Sequence, residues 1–114
     1  MIHGFLCTDR GDQMVVRRKF LMDHLRYIET IADKILVAGP APSDTPGVYK
    51  GSLILYKVAT ADEAKALFDA DAYAKADFWE SVQPISFSPA VGDLVGGITW
   101  KIVDGQVQML KKPA

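Results

Sequence analysis

The sequence holds little cysteine and no long hydrophobic run. Cys7 is the only cysteine among 114 residues, which excludes an internal disulfide and a cysteine-rich zinc site. No apolar run approaches the roughly 18 residues of a membrane-spanning helix, and residues 1–4 lack the basic and apolar regions of a signal peptide. We therefore expect a protein of the reducing cytoplasm that does not associate with membranes.

An excess of charge of one sign is also missing. Thirteen basic side chains stand against fourteen acidic ones, and the net charge of −1 gives no basic footprint for nucleic acid. The two histidines, His3 and His24, have no nearby ligand set for a metal, and Gly96-Gly97 lacks the strand-to-helix setting of a phosphate-binding loop. The sequence therefore predicts no metal, cofactor or nucleic acid, and a small molecule or another protein as partner.

What is present is a globular composition, with 49% hydrophobic residues, typical of a single domain. Apolar spacing predicts an alternation of strands and helices in the order βαββαβ. The predicted strands cover residues 2–8, 34–38, 51–58 and 82–87. The predicted helices cover residues 14–33 and 60–80, the second with a capping box at Thr60 and Glu63 and an interruption at 69–73. The proline-rich segment 39–50 is predicted to be a loop.

A β-ribbon is predicted after this unit. Asp104-Gly105, a strong hairpin signal, lies between two strand-like segments at 98–103 and 106–110. We divide the chain into a ferredoxin-like part, residues 1–90, and a β-ribbon extension of the same domain, residues 91–114. An isolated two-stranded ribbon is marginal in water, so the ribbon is expected to pack on the domain or on a partner subunit.

A βαββαβ order over about 90 residues predicts an α+β, ferredoxin-like fold with two helices on one face of the sheet. Leu36, Ile54, Tyr56 and Phe87 cannot all point at the helices, so we expect an apolar opposite face. Two copies that pack sheet against sheet would bury it. The sequence therefore predicts a homodimer or a larger homo-oligomer.

His24 lies in the apolar stripe of the first predicted helix. At about 100° per residue, Phe20, Ile28 and Ile31 fall within roughly 40° of its direction, so the imidazole is expected to point at the core or at a pocket. Histidine both accepts and donates protons near neutral pH, which favours an acid–base role. The alternative is a core histidine whose nitrogens are satisfied by backbone carbonyls.

Asp9 follows the first strand, and the helix that carries His24 returns along the same sheet. A carboxylate bonded to one imidazole nitrogen fixes the tautomer and leaves the other nitrogen as a base. His24 and Asp9 are therefore candidate catalytic residues, with an ordinary turn residue as the alternative for Asp9. Arg17, one heptad before His24, could bind an anionic substrate or form a salt bridge with Asp9.

Three further residues join Arg17 as candidates for substrate binding. Ser52 opens the third strand after a glycine, and its hydroxyl could reach the same site. Asp71 and Tyr73 lie in the helix interruption and could line a cavity, although the sequence favours Asp71 as the cap of the following short helix. Trp79 is interpreted as a packing aromatic.

Taken together, these motifs resemble the YciI-like family of small dimeric α/β-barrel proteins. The resemblance covers roughly residues 1–88 and depends on the order and spacing of several short pieces. Those pieces are Asp9, Arg17, His24-Leu25, Leu36-Val37-Ala38-Gly39-Pro40, Gly51-Ser52 and Asp71-Ala72-Tyr73. The resemblance implies a ferredoxin-like protomer whose sheets pair into a dimeric barrel. It also implies a pocket around His24 and Asp9, with Ser52 and Asp71 nearby.

The same family includes a dehydrochlorinase that removes chloride from a chlorinated hydroxyhydroquinone. This chain has Ala72 where the family often has a proline and Leu21 where it often has an arginine, which weakens the case for a substrate-anion site. The leading hypothesis is a cofactor-free enzyme of lyase or isomerase type, in which neutral His24 removes a proton from a phenolic or enolic substrate and Asp9 orients the imidazole. The alternative is a non-catalytic module that binds a small molecule or another protein.

Overall fold

Four long strands and three helices build the first part of the chain in the computed structural model, which describes residues 1–110. The strands are β1 (Ile2–Asp9), β2 (Ile35–Pro42), β3 (Tyr49–Tyr56) and β4 (Trp79–Phe87). The helices are α1 (Met14–Ile31), α2 (Ala61–Asp69) and α3 (Ala72–Lys75). No helix among the described residues is long and apolar enough to cross a membrane.

The four strands form one antiparallel sheet in the order β2-β3-β1-β4. The helices cover one face of this sheet, where the ring of Phe5 on β1 lies 4.5 Å from that of Phe68 on α2. Tyr56 and Phe78 are the largest fully buried side chains of the resulting core. The predicted α+β, ferredoxin-like fold is confirmed.

Strand β2 is longer than predicted and strand β3 begins two residues earlier than predicted, so the loop between them covers only residues 43–48. Pro40 and Pro42 belong to β2, which lies at the edge of the sheet. An edge strand leaves one side of its backbone unpaired, so a residue without an N–H is tolerated there. The prediction that residues 39–50 form a loop is therefore wrong, because it treated these prolines as strand breakers.

The end of the helical segment also differs from the prediction. Thr60 caps α2 as expected, since its hydroxyl oxygen accepts from the Glu63 amide at 3.1 Å. The helix predicted at 74–80 ends at Lys75, and Asp77 has a left-handed φ of 54° that is incompatible with a continuing helix. Strand β4 consequently begins at Trp79, three residues before the predicted Val82.

The face of the sheet opposite the helices carries exposed apolar side chains. Leu6 of β1 pairs in register with Leu53 of β3, and Phe87 of β4 shares their face. Val37 of β2 lies on the same face and is 52% exposed. The expected apolar opposite face is therefore present, and it is open in the single chain.

Four short strands follow the sheet and pair only with one another in the described part of the chain. They are β5 (Val91–Gly92) with β6 (Gly97–Ile98), and β7 (Trp100–Val103) with β8 (Gln106–Met109). Asp104 and Gly105 join β7 to β8 with positive φ angles of 51° and 75°, so the predicted hairpin is confirmed. The predicted strand 98–103 is interrupted at Thr99. Large apolar side chains in these strands, including Ile98, Ile102 and Met109, are exposed.

Strands β1 and β3 pack so closely at Gly4 that a side chain there has no room. A methyl group at this position would collide with the backbone carbonyl oxygen of Ile54, whereas a methyl group at Gly39 would meet nothing within 4 Å. We expect Gly4→Ala to lower the free energy of unfolding by about 1–3 kcal/mol, because backbone must move to accept the side chain. Gly39→Ala is the matched control and should be neutral or slightly stabilising. Urea denaturation that gave equal stabilities for the two variants would contradict this packing.

Candidate functional site

A buried ion pair joins the first helix to the sheet. Arg17 of α1 donates from Nε to Asp9 Oδ2 and from Nη2 to Asp9 Oδ1, each at 2.8 Å. Nη2 also donates to the Gly51 carbonyl at 3.1 Å and to the Ser52 hydroxyl oxygen at 3.3 Å, both at the start of β3. Both side chains of the pair are almost completely buried. This bidentate arrangement fixes the side chain of Arg17 against β1 and β3.

Aromatic rings surround the guanidinium. Its central carbon lies between 5.1 and 5.7 Å from the ring centres of Tyr49, Tyr73, Phe78 and Trp79. A shift in strand register after Thr8 brings Trp79 opposite Asp9, and such bulges redirect side chains near sites. Ring faces attract a cation, so the charge of Arg17 is stabilised by rings as well as by Asp9.

A second pair involves His24. Its Nδ1 lies 2.8 Å from both carboxylate oxygens of Asp71, the residue that caps α3. The imidazole stacks on the Tyr73 ring, with the centres 3.8 Å apart and the planes 3° from parallel. The Tyr73 hydroxyl donates to the backbone carbonyl of Arg17 at 3.1 Å, one heptad away on α1. The ring of His24 is therefore held in one orientation, and its Nε2 makes no hydrogen bond within residues 1–110.

The expectation that Asp9 bonds to His24 is wrong. Asp9 is fully engaged by Arg17, and Asp71 takes the place behind the imidazole. Two of the alternatives from the sequence are confirmed, namely the Arg17–Asp9 salt bridge and the capping role of Asp71, whose Oδ1 accepts from the Tyr73 amide at 3.0 Å. Capping does not compete with the histidine contact, because one carboxylate has enough lone pairs to accept both hydrogen bonds.

These residues line a cavity of about 330 Å³ between α1 and the strands β2 and β3, a volume typical of small-molecule sites. Its polar lining includes five of the six residues singled out in the sequence, namely Arg17, His24, Ser52, Asp71 and Tyr73, but not Asp9. Its apolar lining includes Leu21, Leu25, Ile28, Pro40, Ile54 and Phe68. The expectation that His24 points at the core or at a pocket is confirmed.

Two aromatic residues of the cavity wall, Tyr49 and Trp79, are not among the site residues predicted from the sequence. Neither carries a local motif, and Trp79 reaches the site only through the register shift opposite Asp9. Cys7 also lines the cavity, but burial, with a smaller effect from the charge of Asp9, raises its thiol pKa to about 12. The thiol is thus protonated and unreactive near neutral pH. Within residues 1–110, no three His, Cys, Asp or Glu side chains lie close enough to hold a metal ion.

The family model described as the YCII-related domain matches residues 1–88. Two proteins named YciI, from Escherichia coli O6:H1 and Shigella flexneri, are each 29% identical over 89 residues, which span 72% of this chain and 91% of theirs.

One solved structure has the same fold. It is the 5-chloro-2-hydroxyhydroquinone dehydrochlorinase from Burkholderia phenoliruptrix AC1100, in complex with 2,5-dihydroxybenzoquinone. The likeness has a TM-score of 0.71 at 23% sequence identity and covers 82% of this chain and 98% of that one. At this identity the likeness shows the fold alone.

The buried ion pair predicts a large loss of stability when it is broken. Asp9→Asn leaves the Arg17 charge buried without a counter-charge, so we expect the free energy of unfolding to fall by about 3–5 kcal/mol. Asp69→Asn is the matched control, because Asp69 pairs with Lys65 on the exposed side of α2 and should contribute no more than about 0.5 kcal/mol. Chemical denaturation measures both, and similar small losses would contradict a structural role for Asp9.

Proposed function

The chain belongs to the family of the YCII-related domain, and on that premise we propose a cofactor-free enzyme of lyase or isomerase type that uses His24 for proton transfer on a small substrate. The single observation that carries the proposal is the His24–Asp71 pair beside the cavity. An imidazole held by a carboxylate at one nitrogen, with the other nitrogen unpartnered, is the arrangement of a general base.

In this proposal Asp71 has the role that the sequence assigned to Asp9. Its carboxylate accepts the hydrogen bond that Nδ1–H donates, so the lone pair of the neutral imidazole lies on Nε2. When Nε2 takes a proton from the substrate, Asp71 stabilises the imidazolium that forms. Stacking on Tyr73 keeps the ring in place during the transfer.

The proposed substrate is a flat ring with a phenolic or enolic hydroxyl. The support is the mostly apolar cavity and the structural neighbour, whose name and bound quinone are of this kind. Nε2 removes the hydroxyl proton and can return it to a ring carbon, which converts an enol into a ketone. If that carbon carries chlorine, chloride can then leave with its bonding electrons while a second hydroxyl gives up its proton, so that hydrogen chloride is lost overall. Arg17, Ser52 and Tyr73 are proposed to contact the substrate.

We also propose that two copies associate through the sheet face opposite the helices. Leu6, Val37, Leu53 and Phe87 are between 37% and 52% exposed on this face of the single chain. Exposed apolar patches of this kind are typical of protein–protein interfaces, and a face that meets itself across a two-fold axis closes the assembly. The polar residues of the cavity lie on the helix side of the sheet, whereas Leu53 both lines the cavity and belongs to the open face.

The catalytic proposal predicts the outcome of substitutions at His24 and Asp71. His24→Ala and Asp71→Asn should keep the fold and lower kcat by about 10²- to 10⁴-fold, the usual contribution of a general base and its partner. Turnover of 5-chloro-2-hydroxyhydroquinone, and of a panel of related quinols and lactones, is followed by ultraviolet absorbance. Asp69→Asn, on the exposed end of α2, is the control and should have wild-type activity. Unchanged turnover in both variants, or ring binding by the wild type without any turnover, would overturn the proposal.

The association proposal predicts a dimer or larger assembly at micromolar concentration. Leu6→Glu places a charge in the centre of the open sheet face and should shift the mass measured by light scattering to that of a monomer. Val15→Glu changes another exposed apolar residue, on α1, and should leave the assembly intact. A wild-type protein that is monomeric under these conditions would refute the paired-sheet arrangement.

A further inference from the structure

The end of the cavity beside Arg17 offers a hydrogen-bond donor that the protein does not use. Nε and Nη2 of Arg17 bond to Asp9, Gly51 and Ser52, whereas Nη1 makes no hydrogen bond within residues 1–110. Nη1 is not fully enclosed by protein atoms, although Arg17 as a whole is only 4% exposed. Because Arg17 lines the cavity, we assign this open nitrogen to the cavity wall.

The side chain of Ser52 adds a second donor at this end of the cavity. The Ser52 oxygen accepts from Arg17, but its own hydroxyl hydrogen has no acceptor in the described part of the chain. Buried donors in native proteins are nearly always paired. Within residues 1–110, neither Nη1 of Arg17 nor the hydroxyl hydrogen of Ser52 has an acceptor, so an acceptor that enters the cavity can take both hydrogen bonds.

The charge at this end is balanced. Asp9 carries the counter-charge of Arg17 at 2.8 Å, so an incoming carboxylate would lose its hydration and meet a pair with no net charge. A neutral carbonyl oxygen accepts the same hydrogen bonds at a much smaller desolvation cost. The site therefore favours a neutral acceptor over an anion.

The opposite end of the cavity has the reverse polarity, because His24 Nε2 is an acceptor in the neutral imidazole. His24 and Arg17 are one heptad apart on α1, about 10 Å along the helix axis. We infer that the cavity binds its ligand in one orientation, with a hydroxyl at His24 and a neutral carbonyl oxygen at Arg17 and Ser52, and that Ser52 determines this specificity. The hydroxyl end of the inference rests on the proposed function, whereas the carbonyl end follows from the unpaired donors.

Three ring compounds with the same hydroxyl test the inference by binding alone. 4-Hydroxyacetophenone carries a carbonyl opposite the hydroxyl, 4-ethylphenol has the same size without an acceptor, and 4-hydroxybenzoate has a carboxylate. Binding is measured by the fluorescence of Trp79 in a Trp100→Phe background, where Trp79 is the only tryptophan of the chain. Ser52→Ala is compared with the parent protein for all three ligands.

We expect the parent protein to bind the ketone more tightly than 4-ethylphenol and at least as tightly as the carboxylate. Ser52→Ala should weaken ketone binding about 3- to 10-fold, the effect of one lost hydrogen bond, and should change the Kd of 4-ethylphenol less than twofold. A general structural effect of the substitution would weaken both ligands equally, and that result would overturn the inference. Preference for the carboxylate, or no binding of any ring, would also overturn it.

The same measurements separate this inference from the catalytic proposal. Normal turnover in His24→Ala together with ketone-specific weakening in Ser52→Ala would refute the base and keep the carbonyl site. Loss of turnover in His24→Ala with no ligand-specific effect in Ser52→Ala would do the opposite.

Discussion

The ion pair between Arg17 and Asp9 is the interaction on which the site depends. It joins α1 to β1 directly and to β3 through Gly51 and Ser52. The backbone carbonyl of Arg17 also accepts from the Tyr73 hydroxyl, which connects the same turn of α1 to α3. Because Asp71 caps α3, this connection fixes the carboxylate that orients His24. A buried charged pair is stable only when every partner is in place, so the pair sets the helix positions within narrow limits.

One strand supplies both the cavity and the open sheet face. Successive side chains of β3 point to opposite sides of the sheet, so Ser52 and Ile54 lie on the helix side while Leu53 lies in register with Leu6 on the other. The proposed chemistry and the proposed association thus use opposite faces of the same four strands. The strands after residue 88 lie beyond the family match and leave the four-stranded sheet unchanged.

Much of the site could be predicted from the sequence, because helical periodicity places Arg17 and His24 on one face and the family resemblance points to Asp71 and Ser52. The partner of each carboxylate could not be predicted from the sequence. Asp9 and Asp71 come from separate elements, and spacing along α1 does not decide which of them reaches His24. Energetics decides it: Arg17 is permanently charged and binds a carboxylate with two hydrogen bonds, so it takes the buried Asp9. The position of Pro40 in an edge strand could not be predicted either, because the order of the strands depends on the whole sheet.

In the proposed reaction, the two polar pairs allow proton transfer without a net change in the charge of the cavity. Removal of a substrate proton by His24 converts the neutral imidazole beside Asp71 into an ion pair and leaves one negative charge on the ligand. In a conjugated ring with a hydroxyl and an opposite carbonyl, that charge moves to the carbonyl oxygen. Nη1 of Arg17 and the hydroxyl hydrogen of Ser52 lie at that end, and neither has an acceptor within residues 1–110. Both side chains are held in place, Arg17 by Asp9 and Ser52 by Arg17. Donors held in place before the charge develops are the main source of electrostatic stabilisation in such sites. The carbonyl end inferred from unpaired donors would therefore contribute to rate as well as to binding, because it lies where the proposed chemistry puts negative charge.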